Sequence, residues 1–160
     1  MKRIKLTQGK YALVSDRDYT YLNQWKWCAC KYTNTWYAQR TVGPKGGQHK
    51  ILMHRVILGL QAGNKRQGDH RDGNGLNNQR RNLRVATPRQ NQHNQPRRCN
   101  NTCGYKCIYL RKDRQKWHTR ITVNGKKVHV GYFDSPIEAA KAYDKAARKH
   151  HGKFARVNFA

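Results

Sequence analysis

The sequence predicts an α+β protein built from several small β-sheets and few helices. Three observations support this class. The hydrophobic fraction of the 160-residue chain is 36%, below the ~45–50% typical of globular domains, so one large core is not expected. Runs that alternate apolar and polar residues, as half-buried strands do, recur along the chain. Residues 136–151 instead carry small apolar residues at helical spacing.

Residues 1–49 form the first predicted module, a β-rich N-terminal segment. We expect strands over residues 10–14, 25–32 and 35–42, turns at 33–34 and 43–47, and a short helix within 16–24 that starts near Asp16 or Asp18. Alternation in the second strand places Trp25 and Trp27 on inner positions, with Cys30 as a further candidate.

Residues 50–95 form the second module, and residues 96–102 a polar linker. The apolar run at 50–58 is compatible with a strand or a helix, and we favour a helix that starts near Met53. After Asp69-His70 come a Gly/Asn-rich turn, a strand over residues 82–86, and a helix with Thr87 as its cap and Pro88 at its first position. This order predicts two strands and a helix that bring positions 69, 70 and 91 together.

Residues 103–160 form the third module, with the clearest local signals in the chain. Three alternating runs, 105–112, 116–123 and 126–133, predict an antiparallel sheet, and Asn124-Gly125 is a hairpin turn signal. Ser135, Pro136 and Glu138 make a capping box at the start of a helix, and Gly152 ends it. An Ala-rich face lets this helix lie close on the sheet.

The charge predicts a polyanionic partner. Lys and Arg number 34 against 8 Asp and Glu, a net charge of +26, and each third of the chain is basic by itself. Such self-repulsion destabilises a compact protein unless a polyanion screens it, and nucleic acid is the obvious candidate. A membrane surface is the weaker alternative because no segment combines a wide apolar face with a basic one.

The cysteines and the N-terminus point to a reducing compartment. No signal peptide or membrane span is evident, so we expect a cytoplasmic protein, located in the cytosol or nucleoid of the cell. The five cysteines are Cys28, Cys30, Cys99, Cys103 and Cys107. They lack the usual C-x2-C spacing of zinc knuckles, so we expect reduced thiols and no structural zinc.

The segment around Asp69-His70 has the side chains that phosphodiester hydrolysis requires. His70 can accept a proton from water near neutral pH. Asp69 and Asn91 offer hard oxygen donors for one divalent ion, Mg²⁺ or Mn²⁺. Asn82 can hydrogen-bond near the histidine and fix its ring. The sequence therefore predicts a metal-dependent nuclease, and the alternative is a Gly/Asn-rich loop whose polar groups only satisfy turn hydrogen bonds.

These residues resemble the HNH motif, in its His-Asn-Asn form, of phage homing endonucleases. The matching elements are Asp69-His70, Asp72-Gly73-Asn74, Asn82-Leu83-Arg84 and the segment from Thr87 to Asn91. The resemblance implies a ββα-metal fold in which His70 is the general base, Asp69 and Asn91 bind the metal, and Asn82 supports His70. His54-Arg55 resembles the family's upstream His-Arg pair, to which we assign a structural or DNA-backbone role.

The third module resembles the DNA-binding domain of plant Apetala and ethylene-response-factor proteins. The matching residues are Lys116-Trp117, Arg120-Ile121, Asn124-Gly125-Lys126, Val130-Gly131-Tyr132-Phe133, Glu138-Ala139-Ala140, Ala142-Tyr143-Asp144, Ala146-Ala147 and the segment from Phe154 to Phe159. The resemblance implies a three-stranded sheet in the DNA major groove. Alternation along the strands separately assigns the two faces of the sheet. The face towards the helix carries Trp117, Thr119, Ile121, Val123, Val128 and Val130. The face towards DNA carries His118, Arg120, Thr122, Lys127 and His129, together with Tyr109, Arg111, Lys112 and Arg114 from the first strand and turn.

We therefore expect a homing-type DNA endonuclease with double-stranded DNA as its partner, no small-molecule substrate, and a monomeric state. The alternative from another class is a non-catalytic, sequence-specific DNA-binding regulator that uses the third module. An RNA-binding protein rests on basicity alone and is the weakest alternative.

Overall fold

The computed structural model describes residues 1–33, 35–97 and 100–159. Residue 34 of the turn expected at 33–34 and residues 98 and 99 of the expected linker, including Cys99, lie outside the described residues. The chain divides into two compact units, Met1–Asn91 and Gln92–Ala160. The α+β class is confirmed, with small antiparallel sheets and few helices. The finer division of the first unit at residues 49 and 50 stays a prediction.

In the described residues, the first unit has eight short strands and three short helices, and the last helix extends two residues past its boundary at Asn91. The strands are β1 (Lys2–Lys5), β2 (Tyr11–Val14), β3 (Cys28–Lys31), β4 (Trp36–Val42), β5 (His49–Leu52), β6 (Gln67–His70), β7 (Asn77–Asn78) and β8 (Leu83–Ala86). The helices are α1 (Asp16–Leu22), α2 (Met53–Ile57) and α3 (Pro88–His93). The sheets have the orders β1-β2-β7, β3-β4-β5 and β6-β8. The predicted helix start at Met53 is thus confirmed, directly after a strand.

A single apolar cluster joins these sheets, and it includes Val14, Leu22, Trp27, Met53 and Leu83. The indole Nε1 of Trp27 donates to the Leu22 carbonyl oxygen at 2.8 Å, which ties α1 to the strand that follows. The inner position proposed for Cys30 is wrong. Ala29 is buried and Cys30 only half-buried, because positions 27 and 29 share one face of an extended chain.

Strands β6 and β8 and helix α3 form the predicted strand–strand–helix arrangement. The two strands are antiparallel, with Asp69 opposite Arg84 and His70 opposite Leu83. Thr87 then caps α3 through a reciprocal pair of hydrogen bonds with Gln90: the Gln90 amide donates to Thr87 Oγ1 at 3.2 Å, and the Thr87 amide donates to Gln90 Oε1 at 2.8 Å. This capping box satisfies amide groups that have no partner within the helix.

The second unit is a three-stranded antiparallel sheet covered by one helix, as predicted. Its elements are β9 (Ile108–Arg111), β10 (Lys116–Val123), β11 (Lys126–Phe133), α4 (Pro136–His151) and a 3₁₀ turn (Gly152–Phe154), with strand order β11-β10-β9. Asn124 and Gly125 have φ values of 50° and 84°, as the tight turn of a hairpin requires. Ser135 Oγ accepts from the Ile137 amide at 3.2 Å, which confirms the N-cap.

The helix and sheet of the second unit enclose a small core. Ile108, Ile121, Ala139, Ala140, Tyr143 and Ala147 are buried, and Trp117, Val123 and Val130 pack against them. Trp117 is therefore a core residue. Val128, expected on this side, is 42% exposed. The register shifts between Thr119 and Arg120, and Val128 lies on the edge strand β11 near the hairpin turn.

Among the described residues, no helix is long and apolar enough to cross a membrane.

Candidate functional site

Asp69 lies in the interior of the first unit as half of an ion pair. Arg84 stands opposite it on β8, and Arg84 Nε donates to Asp69 Oδ2 at 2.6 Å. Only 4% of the Asp69 side chain and 8% of the Arg84 side chain are exposed. A carboxylate this deeply buried requires such a partner. The arginine balances the charge of Asp69 and orients its oxygen atoms.

Helix α3 brings Asn91 alongside the face of β6 that carries Asp69. Asn91 Nδ2 donates to Gln67 Oε1 at 2.7 Å. Gln67 and Asp69 are two residues apart on β6, so they point to the same face of the strand. The structure thus brings the two predicted metal ligands to one face of β6.

His70 follows Asp69 on β6 and points to the other face of the strand. Its Nε2 atom lies 3.3 Å from Asn78 Oδ1, and its ring centroid lies 5.0 Å from that of His54 and 5.6 Å from that of Tyr37. Gly68 faces the same way, and a methyl group there would lie 2.4 Å from His54 Cδ2. The histidine is held between aromatic rings and a buried carboxamide.

Asn82 holds the loop that follows His70. Its Nδ2 atom donates to Asp72 Oδ1 at 2.9 Å and to the Asn77 carbonyl oxygen at 2.8 Å, and its Oδ1 atom accepts from the Asp72 amide at 3.1 Å. These bonds close the loop from residue 72 to residue 77. The carboxamide hydrogen-bonded to the His70 ring belongs to Asn78.

The predicted His54-Arg55 pair takes up internal contacts. His54 is 5% exposed and packs against Tyr37 and His70. Arg55 donates through its two terminal nitrogens to the Gln61 carbonyl oxygen at 2.6 Å and the Arg66 carbonyl oxygen at 3.3 Å. These contacts are structural, and a DNA-backbone role for the pair stays a prediction.

Burial keeps the two histidines neutral at physiological pH. Burial, with smaller contributions from the nearby His70 and Arg55, lowers the pKa of His54 to about 3. Burial also lowers the pKa of His70, against the opposing effects of the Asn78 hydrogen bond, Asp72 and Asp69. The pKa of Tyr37 is raised, mainly by burial. A neutral His70 ring has one nitrogen able to accept a proton.

The donor types at Asp69 and Asn91 suit a hard divalent cation, which takes carboxylate and carboxamide oxygens and retains water. A hydrogen bond to the carboxylate, as Arg84 provides, is common for ligating carboxylates. Within residues 1–33, 35–97 and 100–159, no group of three or more His, Cys, Asp or Glu side chains is arranged around a common centre. Asp69 and Asn91 would fit a cation that keeps water in its remaining positions.

The predicted DNA face of the second unit is a continuous exposed surface. Eight of its nine predicted residues are exposed and His118 is half-buried. In the register Tyr109 is opposite His118, Arg120 opposite His129, and Thr122 opposite Lys127. His118 Nε2 lies 3.0 Å from His129 Nδ1.

The sequence analysis did not assign two residues of this face, Lys116 and Tyr132, to it. The Tyr132 ring lies 5.1 Å from His118 and 4.8 Å from His129, with the Arg114 guanidinium 4.8 Å from its centroid. Lys116 forms an ion pair with Asp134. Parity along β10 assigns Lys116 to the face of His118, whereas Tyr132 reaches this face across the register shift, which alternation cannot reveal.

Residues 103–153 match the AP2 domain, a DNA-binding domain. The match spans all three strands and the whole of α4, and it confirms the family resemblance of the C-terminal module. Protein 3.8 of Escherichia phage T7 is 38% identical over 88 residues, which are 55% of this chain and 72% of that protein. The chain belongs to the family of phage T7 protein 3.8.

Other relatives of this member of the protein 3.8 family match either nearly the whole chain or only its C-terminal part. An uncharacterised HNH endonuclease of Acanthamoeba polyphaga mimivirus is 28% identical over 155 residues, 94% of this chain and 76% of that protein. The rice dehydration-responsive element-binding protein 2A is 41% identical over 63 residues, 38% of this chain and 23% of that protein. The chain thus spans less than a quarter of the plant relative. No solved structure matches the chain.

Proposed function

We propose that this chain is a homing-type DNA endonuclease of the HNH class, in which the first unit cuts DNA and the AP2 domain selects it. The observation that carries the proposal is the β6–β8–α3 arrangement, which holds Asp69 and Asn91 on one face of β6, with His70 as the next residue at the end of the strand and on its other face. The similarity to an uncharacterised HNH endonuclease over 94% of the chain supports it.

Double-stranded DNA is the proposed partner. The net charge of +26 favours a polyanion, and the exposed face of β9, β10 and β11 combines basic and aromatic side chains. We expect Arg120, on the central strand, to read a base edge, whereas lysines mostly contact phosphates. Arg120→Ala should therefore relax sequence preference more than Lys141→Ala, an exposed change on helix α4, and equal losses of affinity on all sequences would contradict base reading by this face.

In the proposed mechanism, His70 accepts the proton of the attacking water. Its neutral ring provides one basic nitrogen, as a general base requires. Asp69 and Asn91 would hold one divalent ion, Mg²⁺ or Mn²⁺, which supplies charge neutralisation at the phosphate and the leaving oxygen. Arg84 keeps the Asp69 carboxylate oriented, and Asn82 keeps the loop after His70 in place.

Cleavage of supercoiled plasmid, and of DNA that flanks the gene, tests the proposal. The wild type should nick or cut one of these substrates with Mg²⁺ or Mn²⁺ and lose this activity with a chelator. His70→Ala should bind DNA as tightly as the wild type through the AP2 domain and fail to cut. A wild type that cuts neither substrate with either metal would contradict the enzyme proposal.

A non-catalytic DNA-binding regulator is the second candidate function. The buried ion pair between Asp69 and Arg84 favours it, because a carboxylate already balanced by an arginine is a weaker ligand for a cation. This alternative predicts sequence-specific DNA binding that divalent metals do not change, and no cleavage under any metal condition.

A further inference from the structure

Two histidines of the predicted DNA face form one hydrogen-bonded pair. His118 lies on the central strand β10 and His129 on the edge strand β11. His118 Nε2 lies 3.0 Å from His129 Nδ1, and the ring centroids are 5.0 Å apart with 16° between the ring planes. The nitrogen-to-nitrogen distance is that of a hydrogen bond, so one proton lies between the two rings whichever of them donates it.

A β-bulge brings the two histidines together. Tyr132 is opposite His118 and His129 is opposite Arg120, and Val130 has no partner in this register. Residues three apart on a regular strand point to opposite faces, but an extra residue on one strand reverses this alternation. The Tyr132 ring therefore lies beside both histidines, 5.1 Å from His118 and 4.8 Å from His129.

Charged and titratable groups reach this face from all three strands and from the turn between β9 and β10. They are Tyr109 and Arg111 on β9, Asp113 and Arg114 in the turn, Lys116 and Arg120 on β10, and Lys127 and Tyr132 on β11. The Asp113 carboxylate accepts from Arg111 at 2.9 Å, and Lys116 forms an ion pair with Asp134. Cations therefore outnumber carboxylates around the histidine pair, and both carboxylates already have cationic partners.

In the free protein these surroundings oppose a positive charge on the pair. The pKa of His118 is lowered, mainly by its partial burial, with smaller contributions from His129, Arg120 and Arg111. The His118 ring is therefore neutral at physiological pH. A proton added to the pair would be held by a charge-assisted hydrogen bond between the two rings, which is stronger than a bond between neutral groups.

Bound DNA reverses the electrostatic balance at the pair. A duplex carries one negative charge per ~1.7 Å of its axis, and a nearby opposite charge favours the protonated form of a histidine. The two histidines lie among arginines and lysines on an exposed face of the sheet, where phosphates would neutralise the cations that oppose protonation. Binding of DNA and binding of a proton should therefore favour each other.

We propose that the His118–His129 pair takes up one proton when the sheet binds double-stranded DNA, so that acidification strengthens binding. The inference rests on the DNA-binding part of the proposed function and involves no step of cleavage. DNA affinity should stay constant in the pH range where the pair is neutral both with and without DNA, and it should rise as the pH falls below that range. One proton gives at most about a tenfold gain per pH unit, so we expect about three- to tenfold tighter binding at ~pH 6 than at ~pH 8.

Isothermal titration calorimetry of the full chain with a duplex of generic sequence counts the protons. Titrations at ~pH 6.5 in two buffers of different ionisation enthalpy, at one ionic strength and with a chelator, give the number of protons taken up per protein bound. The double variant His118→Gln with His129→Gln keeps hydrogen-bonding groups that cannot be protonated, and it should take up about 0.5–1 proton fewer than the wild type. The matched control is His150→Gln, an exposed change on α4, which should take up as many protons as the wild type.

Proton NMR of the histidine rings gives a second measurement on the wild-type protein. The ring signals of His118 and His129, assigned with the two single glutamine variants, are followed against pH with and without the duplex. Their titration midpoints should move to higher pH in the complex.

Equal proton uptake by the wild type and the double variant would overturn the inference, as would midpoints that do not move when DNA binds. A wild type that binds the duplex without cutting it refutes the endonuclease proposal alone, because proton uptake is measured on binding. A chain that binds no duplex would overturn both proposals.

Discussion

The buried ion pair between Asp69 and Arg84 should make Arg84 one of the most sensitive positions in the first unit. Arg84→Met keeps much of the side-chain volume but leaves the Asp69 carboxylate buried, 4% exposed, without its arginine. Removing one partner of a buried pair costs about 3–5 kcal/mol, a large part of the ~5–15 kcal/mol that stabilises a typical domain. We therefore expect Arg84→Met to lower the free energy of unfolding by about 3–5 kcal/mol.

Urea unfolding followed by tryptophan fluorescence measures this change, since Trp25, Trp27 and Trp36 all lie in the first unit. The matched control is Arg80→Met. Arg80 pairs with Asp18 at 2.7 Å, and 41% of the Arg80 side chain but only 10% of the Asp18 side chain is exposed, so the loss should exceed the ~1 kcal/mol of a surface pair and stay below that of Arg84→Met.

The double variant Asp69→Asn with Arg84→Met should recover much of the stability, because the buried carboxylate that has lost its arginine is replaced by a neutral group. Equal losses for Arg84→Met and Arg80→Met would refute the reasoning, as would a double variant no more stable than Arg84→Met.

Three further predictions concern His54, Gly68 and the DNA face. The pKa of His54 is about 3 in the folded protein and ~6.5 in an unfolded chain, so the unfolded state binds a proton first as the pH falls. The free energy of unfolding should therefore keep its full value above pH 6.5. Between pH 6.5 and pH 3 it should fall by up to about 1.4 kcal/mol per pH unit. Urea unfolding across this range should show a shallower slope for His54→Phe, and an unchanged slope would count against a neutral buried His54. Gly68→Ala would place its methyl group 2.4 Å from His54 Cδ2 and should lower the free energy of unfolding by about 1–3 kcal/mol. The control Gly63→Ala has open space around it but a φ of +78°, and it should lower this free energy by only about 1 kcal/mol. A larger loss for Gly63→Ala than for Gly68→Ala would contradict the packing of Gly68 against His54. DNA affinity should fall steeply with salt, by about 0.9 log units per log unit of salt for each phosphate contact, and a flat response in a binding titration would argue against an electrostatic interface.

The parts of the fold that the sequence predicts are those encoded by local interactions. The hairpin at Asn124-Gly125 depends on two residues that tolerate positive φ, and the start of α4 depends on Ser135 and Pro136. The start of α3 likewise depends on Thr87, whose cap partner is only three residues away. Such signals lie within a few residues of one another, so a single sequence is sufficient to find them.

The parts that could not be predicted depend on contacts between distant residues. Arg84 reaches Asp69 only through the register of β6 and β8, and Asn78 reaches His70 because β7 pairs with β2. Tyr132 joins His118 and His129 across a register shift. For Arg84 and Asn78 the residue type gives no signal, since Arg and Asn are frequent in this chain and most of its described arginines are solvent-exposed.

Single-turnover cleavage of a DNA duplex to which the protein binds tightly tests the central claim most directly. With the duplex saturated, the wild type should cut in Mg²⁺ or Mn²⁺ and not in a chelator. His70→Ala should remain fully bound and cut about 10²–10⁴-fold more slowly, the usual contribution of a general base. A bound wild type that leaves the duplex intact with both metals, or a His70→Ala variant that cuts at the wild-type rate, would contradict the claim.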